Sequence, residues 1–176
     1  ASHGITTTEP GVVEAWLTAE DRPGIPPLAD GYRVSSSADD GVERGPHHMV
    51  LGGRGHPDIG SRLRQTSLYR PDLDLVAHDH DGQVAAYILF WYDPASATGL
   101  VEPVRTQDDH QGRGLARHLL TAGVDRLARA GARRIKICFE PDNGPAAHLY
   151  QSVGFRPDRR TDIVSGPTGA AVVVPG

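Results

Sequence analysis

The clearest hydrophobic pattern lies in the second half of the chain. Between Gly114 and Ala130, the residues Leu119, Leu120, Gly123, Val124 and Leu127 fall on one face at helical spacing, and Gly131 follows as a stop. Immediately before this run "LVEPVRT" (100–106) reads as a strand. Immediately after it "RRIKICFE" (133–140) alternates, with Ile135, Ile137 and Phe139 on one side. A strand, a helix and a second strand in that order predict a right-handed crossover with the two strands parallel. "NGPAAHLYQSVG" then predicts a short helix, with Pro145 near its start and Gly154 just past its end.

Upstream, "LDLVAHDHDGQVAAYILFWYD" predicts a hairpin, two apolar runs joined by Asp81-Gly82. "GYRVSSSA" (31–38) alternates weakly as a strand. Ile59, Leu63 and Leu68 give a rough helical spacing, and residues 39–57 carry no assignable period. "GVVEAWLTAEDR" predicts a short helix with Val12, Val13, Trp16 and Leu17 on one side, broken by the prolines of "RPGIPPLADG". Residues 1–30 are therefore taken as an N-terminal extension or scar and residues 31–176 as the domain. "FRPDRRTDIV" and "GAAVVVP" predict closing strands around the turn "SGPTG". The result is an α/β (α+β) chain with a mixed sheet.

Composition narrows the function classes. A length of 176 residues suits one domain. The net charge of −4 argues against a general nucleic-acid binder. No apolar run reaches the roughly 20 residues that cross a bilayer, and the N-terminus lacks the basic start and apolar centre of a signal peptide. With a single cysteine, Cys138, no internal disulfide can form, which fits a reducing, cytoplasmic setting. The basic residues are 17 Arg and one Lys, a bias expected of GC-rich coding.

The candidate chemistry starts at "DDHQGRGLARHLL" (108–120). A helix N-terminus exposes unpaired N–H groups and a partial positive charge, and Gly112 and Gly114 would let an anion approach them. On these residues alone, a phosphate site and a plain turn are both open. The stretch has no Gly-Lys-Ser/Thr and does not fit the dinucleotide fingerprint. His78-Asp79-His80 sits at a turn without further ligands at metal spacing, so no metal is expected. Cys138, in mid-strand, reads as a small buried apolar group.

"VRTQDDHQGRGLARHLL" resembles the acyl-CoA-binding motif of the GNAT acyltransferases, with Gln111, Gly114 and Ala116 in its defined positions. About 30 residues later "DNGPAAHLYQSVGFRP" resembles that family's second motif through Asn143, Ala146, Ala147, Leu149, Tyr150, Gly154 and Phe155. The resemblance covers residues 73–175 clearly, 31–72 loosely and 1–30 not at all. It implies the GNAT fold, a mostly antiparallel mixed sheet with a central splayed parallel pair and flanking helices. It also implies acetyl-CoA as co-substrate and transfer of its acetyl group to a small-molecule or peptide amine in a ternary complex. No nucleic acid or membrane partner is implied, a homodimer is allowed, and an actinobacterial source fits the arginine bias.

Carried over residue by residue, the resemblance gives the pyrophosphate to the amides of Gly112, Arg113, Gly114, Leu115 and Ala116, next to Gln111. The pantetheine arm goes along the strand holding Val104 and Thr106, with Asn143 and Ala147 on its other side. A backbone N–H near Val104 would serve the carbonyl oxygen. Tyr150 is read as the acid that protonates the leaving thiolate, with a packing role as the alternative. Glu102, taken to alternate in phase with Val104 and Thr106, is read as the base. Glu140 or a water chain are the alternatives for that role. Asn143 is equally a helix cap, and His47 and His48 are candidates for an acceptor pocket. Two other readings stay open: a non-catalytic acyl-CoA-binding or regulatory domain, and one half of a tandem protein.

Overall fold

The computed structural model describes residues 7–40, 59–165 and 171–175. Its strands are β1 (Thr7–Thr18), β2 (Arg33–Ser36), β3 (Asp74–His78), β4 (Val84–Asp93), β5 (Thr98–Thr106), β6 (Arg134–Phe139), β7 (Arg156–Ser165) and β8 (Ala171–Pro175). Its α-helices are α1 (Ser37–Asp40), α2 (Ile59–Gln65), α3 (Leu115–Arg129) and α4 (Gly144–Val153). The strands form one sheet in the order β2-β3-β4-β5-β6-β1-β7-β8. Every pairing is antiparallel except β5 with β6.

The predicted crossover is present. The face of α3 read from the sequence is buried, with Leu119, Leu120, Gly123, Val124 and Leu127 all inside. Together with Leu115, Tyr150 and Val153 it covers the main core on one side of the sheet, against Ile88, Phe90, Val101, Ile135 and Ile137. A smaller cluster of Val76, Val84, Tyr87 and Leu89 lies on the other side, with Leu63 of α2 and Trp91 packed against it. Leu68, counted into the helical spacing near α2, lies beyond its end and is exposed.

The N-terminal segment departs from the expectation. Residues 7–18 form no helix and no appendage: β1 is an interior strand, antiparallel to β6 on one side and β7 on the other. Ala15 and Leu17 enter the core, while Glu14 and Trp16 face the opposite side. A period of two was available at Val13, Ala15 and Leu17, but Ala, Glu and Leu are also good helix formers, and tertiary pairing overrode that preference. On the outer side, Lys136 reaches Glu14 at 2.7 Å and Arg134 lies 4.7 Å from the Trp16 ring centre.

Because β1 and β2 lie on opposite sides of the β3–β6 block, residues 19–32 must cross the sheet. They do so as a strap over α3. The Arg22 Nε donates to Asp125 at 3.1 Å, His118 Nδ1 lies 2.8 Å from the Pro26 carbonyl, and the Tyr32 hydroxyl lies 2.9 Å from His110 Nδ1. The proline-rich stretch that breaks secondary structure is thus the extended crossing itself.

Helix α3 can approach β4 closely only because position 123 lacks a side chain. A Cβ there would stand 2.0 Å from the Phe90 ring. Gly123→Ala would gain up to about 1 kcal/mol of helix propensity, but overpacking a close-packed core costs about 1–3 kcal/mol or more. Urea denaturation is expected to show a net loss of about 1–2 kcal/mol for Gly123→Ala. Gly24→Ala in the strap, where a Cβ meets nothing within 4 Å, should leave the midpoint nearly unchanged.

Candidate functional site

The site begins where β5 and β6 part. They pair from Thr98↔Arg134 to Val101↔Ile137, yet β5 runs on to Thr106 and β6 to Phe139. The cause is in β5. Against β4, Val101 pairs with Phe90 and Val104 with Ile88, so Glu102 and Pro103 together oppose the single residue Leu89. This is a β-bulge, which bends the strand and resets its alternation. The Trp91 indole holds the bulge by donating from Nε1 to the Glu102 carbonyl at 2.9 Å.

The bulge corrects one expectation. Val101 and Val104, three residues apart, both pack with the main core. Glu102 therefore does not share a face with Val104 and Thr106. With Pro103 it stands beside Leu89 and Leu100, at the edge of the second face. It is also exposed rather than sunk in the cleft.

The cleft opened by the splay runs in two continuous stretches. The inner one, about 320 Å³, is bordered by Glu102, Val104, Cys138, Glu140, Asn143 and Tyr150. The outer one, about 400 Å³, carries on past Val104, Thr106 and Tyr150 to the glycine loop, with Gln111 through Arg117 along its wall. Val104, Asn143, Ala146 and Tyr150 border both. A larger open hollow of about 600 Å³ lies around Trp16 and Arg159, on neither the glycine loop nor Tyr150.

At the outer end the loop is built to present amides. Gly112 and Gly114 both take left-handed φ angles, +73° and +77°, and Gly114 caps α3. The bond from the His118 N–H to the Gly114 carbonyl begins the helical ladder, so the amides ahead of it have no partner within the helix. The loop's own side chains fold back: Gln111 Nε2 donates to Asp108 at 3.1 Å and Arg113 to the Asp109 carbonyl at 3.2 Å. The buried side chain of Leu115 anchors the first turn in the core, leaving only its backbone to serve an anion. Sequence reasoning missed what holds this loop from behind. His110 lies between the Tyr32 hydroxyl and Asp79, 3.7 Å from the latter. Its partners come from the strap and the hairpin turn, so only long-range contacts reveal them.

In mid-cleft, Tyr150 is 6% exposed and packs between Phe139 and Phe155, ring centres 5.7 and 6.4 Å away. Burial pushes its phenol up to about 12, so it keeps its proton through neutral and mildly alkaline pH. Asn143 caps α4, its Oδ1 accepting from the Ala146 N–H at 3.1 Å, and it borders the cleft as well. Ala147 does not border it. One position further round the helix than Ala146, it packs on the core. Cys138 is not in the core either: it is half-buried on the cleft side, and burial raises its thiol. Glu140 is exposed just past β6 and accepts the Asn143 N–H through its carbonyl.

In the hairpin turn, Asp79 accepts the N–H groups of Asp81 and Gln83 at 3.0 and 2.8 Å. This shapes the turn and holds its carboxyl below the usual range. His47 and His48 lie outside the described residues. Among the described residues no cluster of metal-ligating side chains occurs, and no helix is long and apolar enough to cross a membrane.

Comparison with known proteins gives a consistent answer. Residues 47–155 match the sequence model of the acetyltransferase (GNAT) family. Mycothiol acetyltransferase of Clavibacter michiganensis is 31% identical over 156 residues, covering 86% of this chain and 50% of that protein. The protein of the same name from Kocuria rhizophila is 39% identical, covering 82% of this chain and 62% of its own. The chain spans about half the length of the curated relatives it matches. Among solved structures, a GCN5-related N-acetyltransferase from Sphaerobacter thermophilus has a TM-score of 0.66 at 20% identity, covering 87% of this chain and 50% of that one. A tandem GNAT protein from the clavulanic acid biosynthesis pathway has a TM-score of 0.63 at 17% identity, covering 86% and 51%.

The backbone demand at the loop can be isolated from packing. A Cβ at Gly114 or at Gly144 meets nothing within 4 Å, but only Gly114 has a left-handed φ. Gly114→Ala is expected to cost about 1–2 kcal/mol, and Gly144→Ala to be neutral or stabilising by up to about 1 kcal/mol, both measured by chemical denaturation.

Proposed function

The chain belongs to the GNAT acetyltransferase family, and on that footing we propose that it transfers an acetyl group from acetyl-CoA to an amine. The observation that carries the reading is one continuous cleft with the glycine loop at its outer end, Tyr150 in its middle and Glu102 at its inner edge. The amides from Gly112 to Ala116 take the pyrophosphate, aided by the helix dipole. The pantetheine arm lies between β5 and β6, where each strand has lost the other as a hydrogen-bonding neighbour and an extended ligand can bond along the exposed backbone.

The chemistry is an addition and an elimination. Glu102, open to solvent, accepts a proton from the incoming ammonium group, directly or through water. The free amine attacks the thioester carbonyl carbon, and a β5 backbone N–H near Val104 stabilises the oxygen as charge builds. The carbon–sulfur bond then breaks and the thiolate takes the Tyr150 proton; the nitrogen gives up its second proton through water, leaving the neutral amide, and Tyr150 regains a proton from solvent. No covalent enzyme intermediate is needed, so the thiol of Cys138 has no part in this sequence.

The relatives are named mycothiol acetyltransferase, a name that gives no acceptor for this chain. Since this chain spans only half of such a relative, a second reading is that it is one GNAT unit of a longer, two-unit protein.

Calorimetry with acetyl-CoA tests the donor site: no heat of binding at high protein concentration would remove the phosphate-loop reading. Tyr150→Phe is expected to lower kcat about 100-fold with little change in the KM for acetyl-CoA. An unchanged kcat takes Tyr150 out of the acid role. The pH profile supplies a separate check. Burial raises the folded-state value, so the phenolic proton is lost only as pH climbs towards about 12. The rate should therefore show no falling limb from Tyr150 between pH 8 and pH 10; a limb near 10 that vanishes in Tyr150→Phe would keep Tyr150 as the acid but show that burial does not raise its phenol.

A further inference from the structure

On the second face of the sheet, directly behind the bulge, lies a cavity of about 330 Å³. Its walls are Leu63 of α2, Tyr87, Leu89 and Trp91 of β4, and Leu100 and Pro103 of β5. Among the described residues its one charged border is Glu102. The volume is at the lower end of the roughly 300–1,000 Å³ typical of small-ligand sites. The wall is fixed rather than adaptable. Trp91 is tied through its Nε1 to the Glu102 carbonyl and meets Tyr69 edge-on at 6.5 Å. The Tyr69 hydroxyl in turn donates to the buried carboxylate of Asp74 at 2.7 Å.

The cavity and the cleft meet at two residues of β5. Glu102 and Pro103 border both this cavity and the inner cleft that Tyr150 also borders. A molecule seated here therefore has one charged end available, at a carboxylate beside the cleft, and otherwise apolar walls among the described residues. That is the complement of an organic ammonium ion: the charge wants Glu102, and its carbon skeleton gains by leaving water.

We propose that this cavity is the acceptor subsite and that it selects primary amines carrying a compact apolar or aromatic substituent. Leu63, Leu100 and Trp91 set that preference, and polyhydroxylated amines are disfavoured. The proposal rests on the acetyl-transfer reading for its chemistry but not for its binding.

The test uses 2-phenylethylamine and glucosamine as probes, with Trp16→Phe as background so that Trp91 is the only tryptophan. Phenylethylamine is expected to change Trp91 fluorescence saturably. Leu63→Arg should weaken that binding about tenfold or more, the size of effect that apolar pockets exert on their ligands, with acetyl-CoA affinity unchanged by calorimetry. Leu63→Ser, checked by circular dichroism, gives the same direction should the arginine disturb folding. In thiol-release assays phenylethylamine should exceed glucosamine about tenfold or more in kcat/KM.

Saturable binding that Leu63→Arg abolishes, with no thiol released from any amine, would support the cavity and sink the transfer reading. Thiol release that favours glucosamine and ignores Leu63→Arg would overturn the cavity while leaving transfer intact. Neither binding nor release would overturn both.

Discussion

Parallel pairing between β5 and β6 ends at Val101 and Ile137 although both strands continue, and the arrangement of the site follows from that interruption. A fully paired sheet would leave no backbone edge in its interior and no gap to enter. The second residue that β5 inserts opposite Leu89 turns the strand away from β6 while keeping it on β4. Helix α3 can then start at the mouth of the gap, pointing its unpaired amides along it, and Tyr150 of α4 can reach its wall. The core on the helical side, closed by Phe90 under Gly123, holds these parts in register.

The same bulge gives the sheet two chemically different sides at one point. Val104 stays with the core and the cleft, while Glu102 is moved towards the opposite face. A donor entering past the glycine loop and an acceptor arriving from behind would meet across a single strand. On the proposed reading the meeting point is at Glu102 and Pro103, which border both openings.

What could be read from the sequence was what depends on neighbours in sequence. The buried stripe of α3, the Asp81-Gly82 hairpin, the cap and stop of α4 and the glycine loop all declare themselves within a dozen residues, and all lie where they were expected. What could not be read depends on partners elsewhere. The reach of Glu102 turns on how β5 is registered against β4: a proline inside a strand signals an edge or a bulge, but Pro103 alone does not say which way Glu102 is turned. Ala146 rather than Ala147 meets the cleft because of how α4 is rotated against its neighbours. β1 looked helical because its partners, β6 and β7, were invisible from its own residues, and the strap looked like a break because the element it crosses comes almost a hundred residues later, with His118 separated from Pro26 by 92 positions.

The position of β1 also sets an order of events during synthesis. Glu14 and Lys136, which join across β1 and β6, are 122 residues apart in the chain. As the chain is made, β1 emerges before β6 and β7 and waits for both of these neighbours. Through that interval it is an unpaired strand with Val13, Ala15 and Leu17 on one face, the kind of segment that associates with other chains. Glu9 and Glu14 place negative charge within it, and such charges discourage edge-to-edge pairing. Closure waits until β6 and then β7 are made, so a strand made early is built in late.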